Sequence, residues 1–209
     1  MQFIDLPTSL FCARVRTVIQ YKELSPEVVG PPGGLGSRAH AALDPVARVP
    51  AVKFASEELW LHESMLIALR LEEEHPARPL EPASAELRWL GRQGMAFLDS
   101  YAVSAMFDIL RLADRRHTED EVERSRERIA NAYRWLEQTL PAAQFALADK
   151  MTLLDIWLGL TVALGAEFST RTGLDLSPPR RVAELSDQAL SQSSLSKVLA
   201  QLQSETQAA

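Results

Sequence analysis

The sequence predicts two domains, a small α/β domain followed by an all-helical domain. Short strand patterns alternate with helical patterns in the first part of the chain, whereas apolar residues recur at helical spacings in the second. Between the two parts, residues 76–82 contain three prolines, and proline fits neither a helix interior nor a central strand. We therefore assign residues 1–76 to the first domain, 77–83 to a linker and 84–209 to the second domain.

The first domain begins with a strand and a helix and ends with a hairpin and another helix. Thr8 or Ser9 can cap the first helix, because a side-chain oxygen there accepts a free amide of the first turn. Glycine and proline dominate residues 30–36, which predicts a loop. The predicted strands are Gln2–Leu6, Val49–Phe54 and Glu58–Leu61, and the predicted helices run to about Leu24 and over Glu63–Glu74.

The second domain shows helical patterns and little strand signal. The segment Thr152–Ala166 is apolar almost all round, which predicts a buried helix. Thr152 and Asp155 have the spacing of a capping box at its start, which is a structural role. The predicted helices of this domain cover residues 84–112, 119–140, 152–166 and 194–203.

Composition and charge exclude several classes of protein. The chain has 209 residues, 46% of them hydrophobic, and its net charge of −6 argues against a nucleic-acid partner recruited by charge. The apolar stretch at Met151–Ala166 is interrupted and too short to cross a bilayer. The first ten residues lack the pattern of a signal peptide. We therefore expect a cytoplasmic protein without nucleic-acid or membrane partners.

The sequence also predicts no metal site. Its single cysteine, Cys12, excludes an internal disulfide and a multi-cysteine metal site. No two of the histidines have the spacing of paired ligands, so we interpret all four as surface residues: His40, His62, His75 and His117.

Three motifs occur in order along the chain. They are S-L-F-C-A-R-V-R at residues 9–16, L-D-P-V-A-R-V-P-A-V at 43–52 with W-L-H-E-S at 60–64, and T-L-L-D-I at 152–156. Together they resemble the cytosolic glutathione transferase superfamily, in its zeta-like or related bacterial members. The resemblance implies a thioredoxin-like N-terminal domain, an all-helical C-terminal domain, glutathione as cosubstrate and a homodimer. The second motif departs from the family at Asp44, where the family has Asn, and at Ala47, where it has Gly.

The Val49-Pro50 bond lies at the entry to a predicted strand. By the general frequency of cis X-Pro bonds, about 5–6%, a trans edge-strand proline is the expected form. The resemblance implies a cis bond instead. Such a bond exposes the backbone amide and carbonyl of Val49 to a bound peptide, which can pair with them like an added strand.

Glu63 and Ser64 open the last helix of the first domain. The amides and the positive dipole end of a helix N-terminus favour a carboxylate. The resemblance implies that Ser64 and this terminus bind the γ-glutamyl carboxylate of glutathione, while Glu63 pairs with the γ-glutamyl ammonium. From the residues alone, Ser64 is an ordinary N-cap.

Ser9 and Cys12 are alternative centres for the chemistry. A hydroxyl at the start of the first helix can donate a hydrogen bond to the glutathione sulfur and favour the thiolate, but from the residues alone a simple helix cap is the expected role of Ser9. Cys12, one turn later, stands where a thioredoxin motif has its second cysteine, with Ser9 in place of the nucleophilic thiol. Cys12 is therefore either a packing residue, which we favour, or a thiol that forms a mixed disulfide.

The loop at Gly30–Ser37 is poor in the residues that normally reach the glycine carboxylate of glutathione. Arg38, His40 and Arg48 are the candidates to replace them, and Arg48 is the best match because it precedes Val49-Pro50. The zeta isomerases depend on a fuller opening motif, so we do not extend the resemblance to maleylacetoacetate isomerase activity.

Two functions compete. The first is an enzyme that adds the glutathione thiolate to a small hydrophobic electrophile, in a pocket between the domains lined by Tyr101, Met106 and Phe107; these three side chains serve equally well as core or dimer packing. The second is a non-enzymatic interaction protein of the same fold, similar to the branch that contains the stringent starvation protein. The segment Trp60–Ser64 and the depleted Gly30–Ser37 loop suit this alternative.

Overall fold

The structure is a computed structural model, and it describes residues 1–113 and 118–208. His117, one of the four histidines, lies outside the described residues. In chain order the elements are β1 (Gln2–Ile4), α1 (Leu10–Tyr21), β2 (Glu27–Val29), α2 (Arg38–Leu43), β3 (Ala51–Lys53), β4 (Leu61–His62), α3 (Ser64–Glu74), α4 (Ala85–Phe97), a π-helical segment (Leu98–Val103), α5 (Ser104–Ala113), α6 (Glu119–Thr139), α7 (Leu153–Thr172), α8 (Arg180–Leu190) and α9 (Ser193–Ala208).

The chain forms two compact units. The first unit joins residues 1–79 to the chain from Ser193 onwards, and the second is Leu80–Gln192. The sequence analysis placed the last helix in the helical domain. In the structure, α9 contacts α1 and belongs to the first unit, where Leu195 and Val198 are fully buried.

The first unit is built on a mixed four-stranded sheet with the strand order β2-β1-β3-β4. Strand β1 runs parallel to β2 and antiparallel to β3, and β3 runs antiparallel to β4. Helix α1 connects β1 to the parallel strand β2 and packs against α3 and α9. Its apolar residues Val15 and Val18 are fully buried.

The sequence did not predict β2, α2 or α8 as separate elements. The predicted helix over residues 84–112 is interrupted by the π-helical segment between α4 and α5. Sequence periodicity hides this interruption, because a single stretch of wider turns changes the helical period little.

Helix α7 forms the centre of the second unit. It extends six residues beyond Ala166, the predicted end, to Thr172. Gly173 then terminates the helix in a left-handed conformation with a φ of 73°. At this length α7 is apolar enough to cross a membrane by length and composition alone, but 61% of its apolar window is buried inside the structure, as in the core helix of a globular unit. Trp157 and Leu158 are fully buried.

The predicted capping box at the start of α7 is present. Asp155 Oδ2 accepts hydrogen bonds from the Thr152 amide at 2.7 Å and from the Thr152 hydroxyl at 2.6 Å. Its Oδ1 accepts the Ala146 amide at 2.8 Å, which ties the preceding loop to the helix. Burial raises the pKa of this fully buried carboxyl.

Candidate active site

The strand register brings the predicted glutathione-binding segments to one edge of the sheet. Ile4 at the end of β1 pairs with Ala51 at the start of β3, and Ala51 pairs with His62 at the end of β4. On the other side, Ile4 pairs with Val29 at the end of β2. The chain therefore leaves or enters four neighbouring strands at this edge. The segments attached there are the turn before Ser9, the glycine-rich loop, Arg48 with Val49-Pro50, and Glu63 with Ser64.

Ser9 caps α1 at this edge. Its Oγ accepts the Cys12 amide at 3.2 Å, and its own amide donates to the Leu6 carbonyl at 2.9 Å, which closes a turn over Pro7 and Thr8. The bond from the Cys12 amide uses a lone pair of the oxygen and leaves the hydroxyl hydrogen unused by that bond. The same side chain is also a hydrogen-bond partner of the Cys12 thiol, so a ligand sulfur would compete with that thiol for the hydrogen. Ser9 is half-buried.

Cys12 has the surroundings of a packing residue. Its side chain is fully buried, and its Sγ accepts the Leu6 amide at 3.4 Å. Burial raises the pKa of the thiol to about 12. Such a thiol is protonated at neutral pH and is a poor nucleophile, which supports the packing interpretation over the mixed disulfide.

The Val49-Pro50 bond is cis, as the resemblance implies. Pro50 is buried, Val49 is half-buried and Arg48 is exposed. Ala47, which stands where the family has Gly, has a φ of 47°. This value lies in the left-handed region, which glycine adopts more easily than alanine. The Asp44 carboxylate helps to hold this turn, because its Oδ2 accepts the Ala47 amide at 3.2 Å.

Glu63 adopts a strained backbone conformation directly before α3. Its φ is 67° and its ψ is 113°, which costs a residue with a Cβ about 1–3 kcal/mol. Ser64, the first residue of α3, is 4% exposed, whereas Glu63 is exposed. Strain of this kind persists where the surrounding structure determines it, and it often accompanies a binding site.

Sequence reasoning missed a contact that joins two of these segments. His62 Nε2 lies 3.0 Å from Asp44 Oδ2, and both side chains are largely buried. The contact connects β4, just before Glu63, to the chain that leads to Val49-Pro50. The one sign of this contact in the sequence is Asp44, which stands where the family has Asn, because a carboxylate can pair with a histidine.

His40 is not a surface residue, contrary to the sequence prediction. It is fully buried, and its Nδ1 accepts the Gly36 amide at 3.3 Å. Ser37 caps the short helix α2 by accepting the His40 amide at 3.1 Å and donates to the Pro32 carbonyl. His40 thus organises the glycine-rich loop, and Arg38 and Arg48 are the exposed cations among the three candidates for the glycine carboxylate.

The three residues predicted for the electrophile pocket differ in exposure. Met106 is fully buried, and its side chain lies against Gly165 of α7, so it packs in the second unit. Phe107 is half-buried and stacks edge-on against Phe168, with ring centroids 5.9 Å apart. Tyr101 is 47% exposed. Across residues 1–113 and 118–208, no cluster of His, Cys, Asp and Glu side chains has the arrangement of a metal site.

Known proteins resemble this chain in the sequence of its first part and in its fold. Residues 3–79 match the family model of the glutathione S-transferase N-terminal domain. No curated protein sequence matches the chain. The holo structure of maleyl pyruvate isomerase, a bacterial zeta-class glutathione S-transferase, is 20% identical, covers 95% of this chain and 96% of its own, and has a TM-score of 0.76.

Two further solved structures are similar over nearly the whole chain. A tau-class glutathione S-transferase from mango, Mangifera indica, is 16% identical over 100% of this chain and 98% of its own, with a TM-score of 0.79. The maleylacetoacetate isomerase of Anaeromyxobacter dehalogenans 2CP-1, which has GSH bound in its active site, is 23% identical over 94% and 93%, with a TM-score of 0.74. Residues 3–79 therefore match a glutathione S-transferase N-terminal domain, and the chain shares the fold of these solved structures, with a mixed four-stranded sheet in its first unit and a mostly helical second unit.

Proposed function

We propose that this protein binds glutathione at the sheet edge and adds its thiolate to a small hydrophobic electrophile. The observation that carries the proposal is the strand register, which gathers Ser9, Val49-Pro50 and Glu63-Ser64 at one edge. Each segment offers a different part of what a tripeptide thiol needs: a donor for the sulfur, backbone groups for pairing, and a helix terminus for a carboxylate.

Ser9 is the residue we assign to the sulfur. Its hydroxyl donates to the glutathione sulfur, and this bond favours the thiolate because it strengthens when the sulfur carries charge. The thiolate is the nucleophile, so lowering its pKa raises the reactive fraction at neutral pH. Cys12 takes no part, since its thiol is buried and protonated.

The rest of the tripeptide is held by the two neighbouring segments. Ser64 and the amides at the start of α3 bind the γ-glutamyl carboxylate, and the exposed Glu63 carboxylate pairs with the ammonium. The backbone of Val49 pairs with the cysteinyl part of the ligand. Arg48 pairs with the glycine carboxylate, because it is exposed and directly precedes Val49.

The remaining parts of the proposal concern partners. The second substrate is a small hydrophobic electrophile, and Tyr101 and Phe107 remain the candidate contacts for it. We propose a homodimer, as the resemblance implies, and a cytoplasmic location, which the single cysteine favours. The superfamily also contains the zeta-class isomerases described above, but we do not assign their reactions to this chain.

Retention on immobilised glutathione tests the proposal. We expect the protein to be retained and to elute with free glutathione. We expect the Ser64→Ala variant to elute earlier than the control variant Ser196→Ala, which changes an exposed serine of α9. Retained protein should then conjugate a generic electrophile such as 1-chloro-2,4-dinitrobenzene. If wild-type protein passes through unretained with its fold intact, the glutathione function is wrong and the non-enzymatic interaction protein becomes the better hypothesis.

A further inference from the structure

Arg16 of α1 holds the turn that carries Ser9. Its guanidinium donates through Nη1 to Asp5 Oδ1 at 2.7 Å and to the Leu6 carbonyl at 3.3 Å, and through Nη2 to the Pro7 carbonyl at 2.9 Å. The Arg16 and Asp5 side chains are 7% and 9% exposed. A buried guanidinium thus joins the end of β1 to two successive carbonyls of the turn.

The same turn is held at two further points. The Leu6 carbonyl that accepts from Arg16 also accepts the Ser9 amide at 2.9 Å, and the Leu6 amide donates to Cys12 Sγ at 3.4 Å. Cys12 and Arg16 are four residues apart on α1, so they lie on the same face of the helix. Sulfur is a weak acceptor, so the hydrogen bonds from Arg16 restrain the turn more strongly than the bond to Cys12 Sγ does.

We propose that Arg16 is a positioning residue for Ser9, and that its function is to fix the Leu6–Ser9 turn rather than to form an ion pair alone. The inference rests on the proposed function, in which the Ser9 hydroxyl must point at the glutathione sulfur. Arginine suits this role because its planar fork reaches a carboxylate and two carbonyls at once. A lysine ammonium keeps the charge facing Asp5 but lacks the fixed, divergent donors.

Three variants separate the turn contacts from the ion pair. Arg16→Lys keeps a cation beside Asp5 and loses the guanidinium fork. Asp5→Asn removes the charge pair and keeps the contacts of Arg16 with the turn. Lys22→Gln is the matched control, because it breaks another buried ion pair of α1, with Glu72 at 2.7 Å, at the opposite end of the helix.

The first measurement is amide hydrogen exchange at Leu6 and Ser9 in the ligand-free protein. We expect Arg16→Lys to speed exchange at both amides by about tenfold, the effect of losing one charge-assisted hydrogen bond. Asp5→Asn and Lys22→Gln should leave these two amides at the wild-type rate once global stability is taken into account. Equal exchange in Arg16→Lys and wild type would overturn the proposal, and so would equal acceleration in Lys22→Gln.

The second measurement is the pH profile of the glutathione reaction. We expect Arg16→Lys to move the profile upward by about one pH unit and to lower kcat with little change in KM, the same pattern that we expect of Ser9→Ala. A purely structural role would change the amount of folded enzyme and leave the profile in place. Should Arg16→Lys fail to fold, Asp5→Asn decides: a shifted profile or a fast Ser9 amide there would show that the ion pair, and not the turn contacts, positions Ser9.

The two hypotheses fail in different ways. If wild-type protein does not bind glutathione, the proposed function is wrong and Arg16 positions no thiol-activating group. If glutathione binds and reacts but the profile of Arg16→Lys equals that of wild type, the function stands and the role of Arg16 is overturned.

Discussion

Replacing Ser9 with alanine tests the central chemical step. The substitution removes the hydroxyl that is proposed to donate to the glutathione sulfur. The backbone of the turn stays in place, because the Ser9 amide still donates to the Leu6 carbonyl. We therefore expect glutathione to bind Ser9→Ala nearly as well as wild type, but with a higher thiol pKa and a lower kcat.

The size of the effect follows from two hydrogen bonds of the serine. A hydrogen bond to a charged group is worth about 1.5–3 kcal/mol, so its loss raises the pKa of the bound thiol by about 1–2 pH units. Ser9 Oγ also accepts the Cys12 amide at 3.2 Å, so the variant loses a helix cap. Losing a cap costs about 1 kcal/mol of stability. The pKa and the stability therefore change together and must be separated.

The Ser84→Ala variant separates the change in thiol pKa from the loss of stability. Ser84 caps α4 of the second unit by accepting the Leu87 amide, so this variant loses the same kind of cap at a residue outside the first unit. The assay is a pH titration of the thiolate absorbance of bound glutathione. We expect the thiol pKa to rise in Ser9→Ala and to equal wild type in Ser84→Ala and Ser9→Thr. A wild-type pKa in Ser9→Ala, with glutathione still bound, would refute the assignment of Ser9 to the sulfur.

Four further predictions follow from the structure. Ser64→Ala should weaken glutathione binding by about 1–2 kcal/mol in calorimetry; unchanged affinity would place the carboxylate elsewhere. Cys12 should react with a thiol reagent only as fast as the protein unfolds, and Cys12→Ala should keep most of the activity. Asp155→Ala should lower the free energy of unfolding by about 3 kcal/mol in denaturant titrations, because it unpairs the Ala146 amide and removes a capping box. Lys22→Met should cost about 3–5 kcal/mol, and pairing it with Glu72→Gln should restore part of the loss if the buried charge is the cause.

The motifs predicted more of the site than the residue patterns did. The cis Val49-Pro50 bond came from the resemblance, since local chemistry alone favours a trans bond there. Neither source predicted the positive φ of Glu63, because backbone strain depends on the packing around a residue and leaves no mark on its side chain. The sequence predicts His40 on the surface because no second histidine stands at a paired-ligand spacing from it, whereas the structure buries it and pairs it with the Gly36 amide.

Element lengths explain most of what the fold prediction missed. Strand β2 has three residues and α2 has six, and both are too short to show a period. Each exists because of a partner distant in sequence or a local cap: β2 pairs with β1, and Ser37 caps α2. The amphipathic pattern predicted α6, and the all-round apolar pattern predicted α7. Length does not explain α8, which has eleven residues and was not predicted.

Because α9 belongs to the first unit, the second unit can fold before the first unit is complete during synthesis, whereas N-terminal domains usually fold first. Helix α9 buries Leu195 and Val198 in a unit whose other residues are all made before the second unit begins. The ribosome adds about 5–20 residues per second, so several seconds pass between the synthesis of α1 and the synthesis of α9, which packs against it. The second unit is continuous in sequence and can finish first. We therefore expect nascent chains that stop before Ser193 to hold a folded second unit and a first unit that chaperones still recognise.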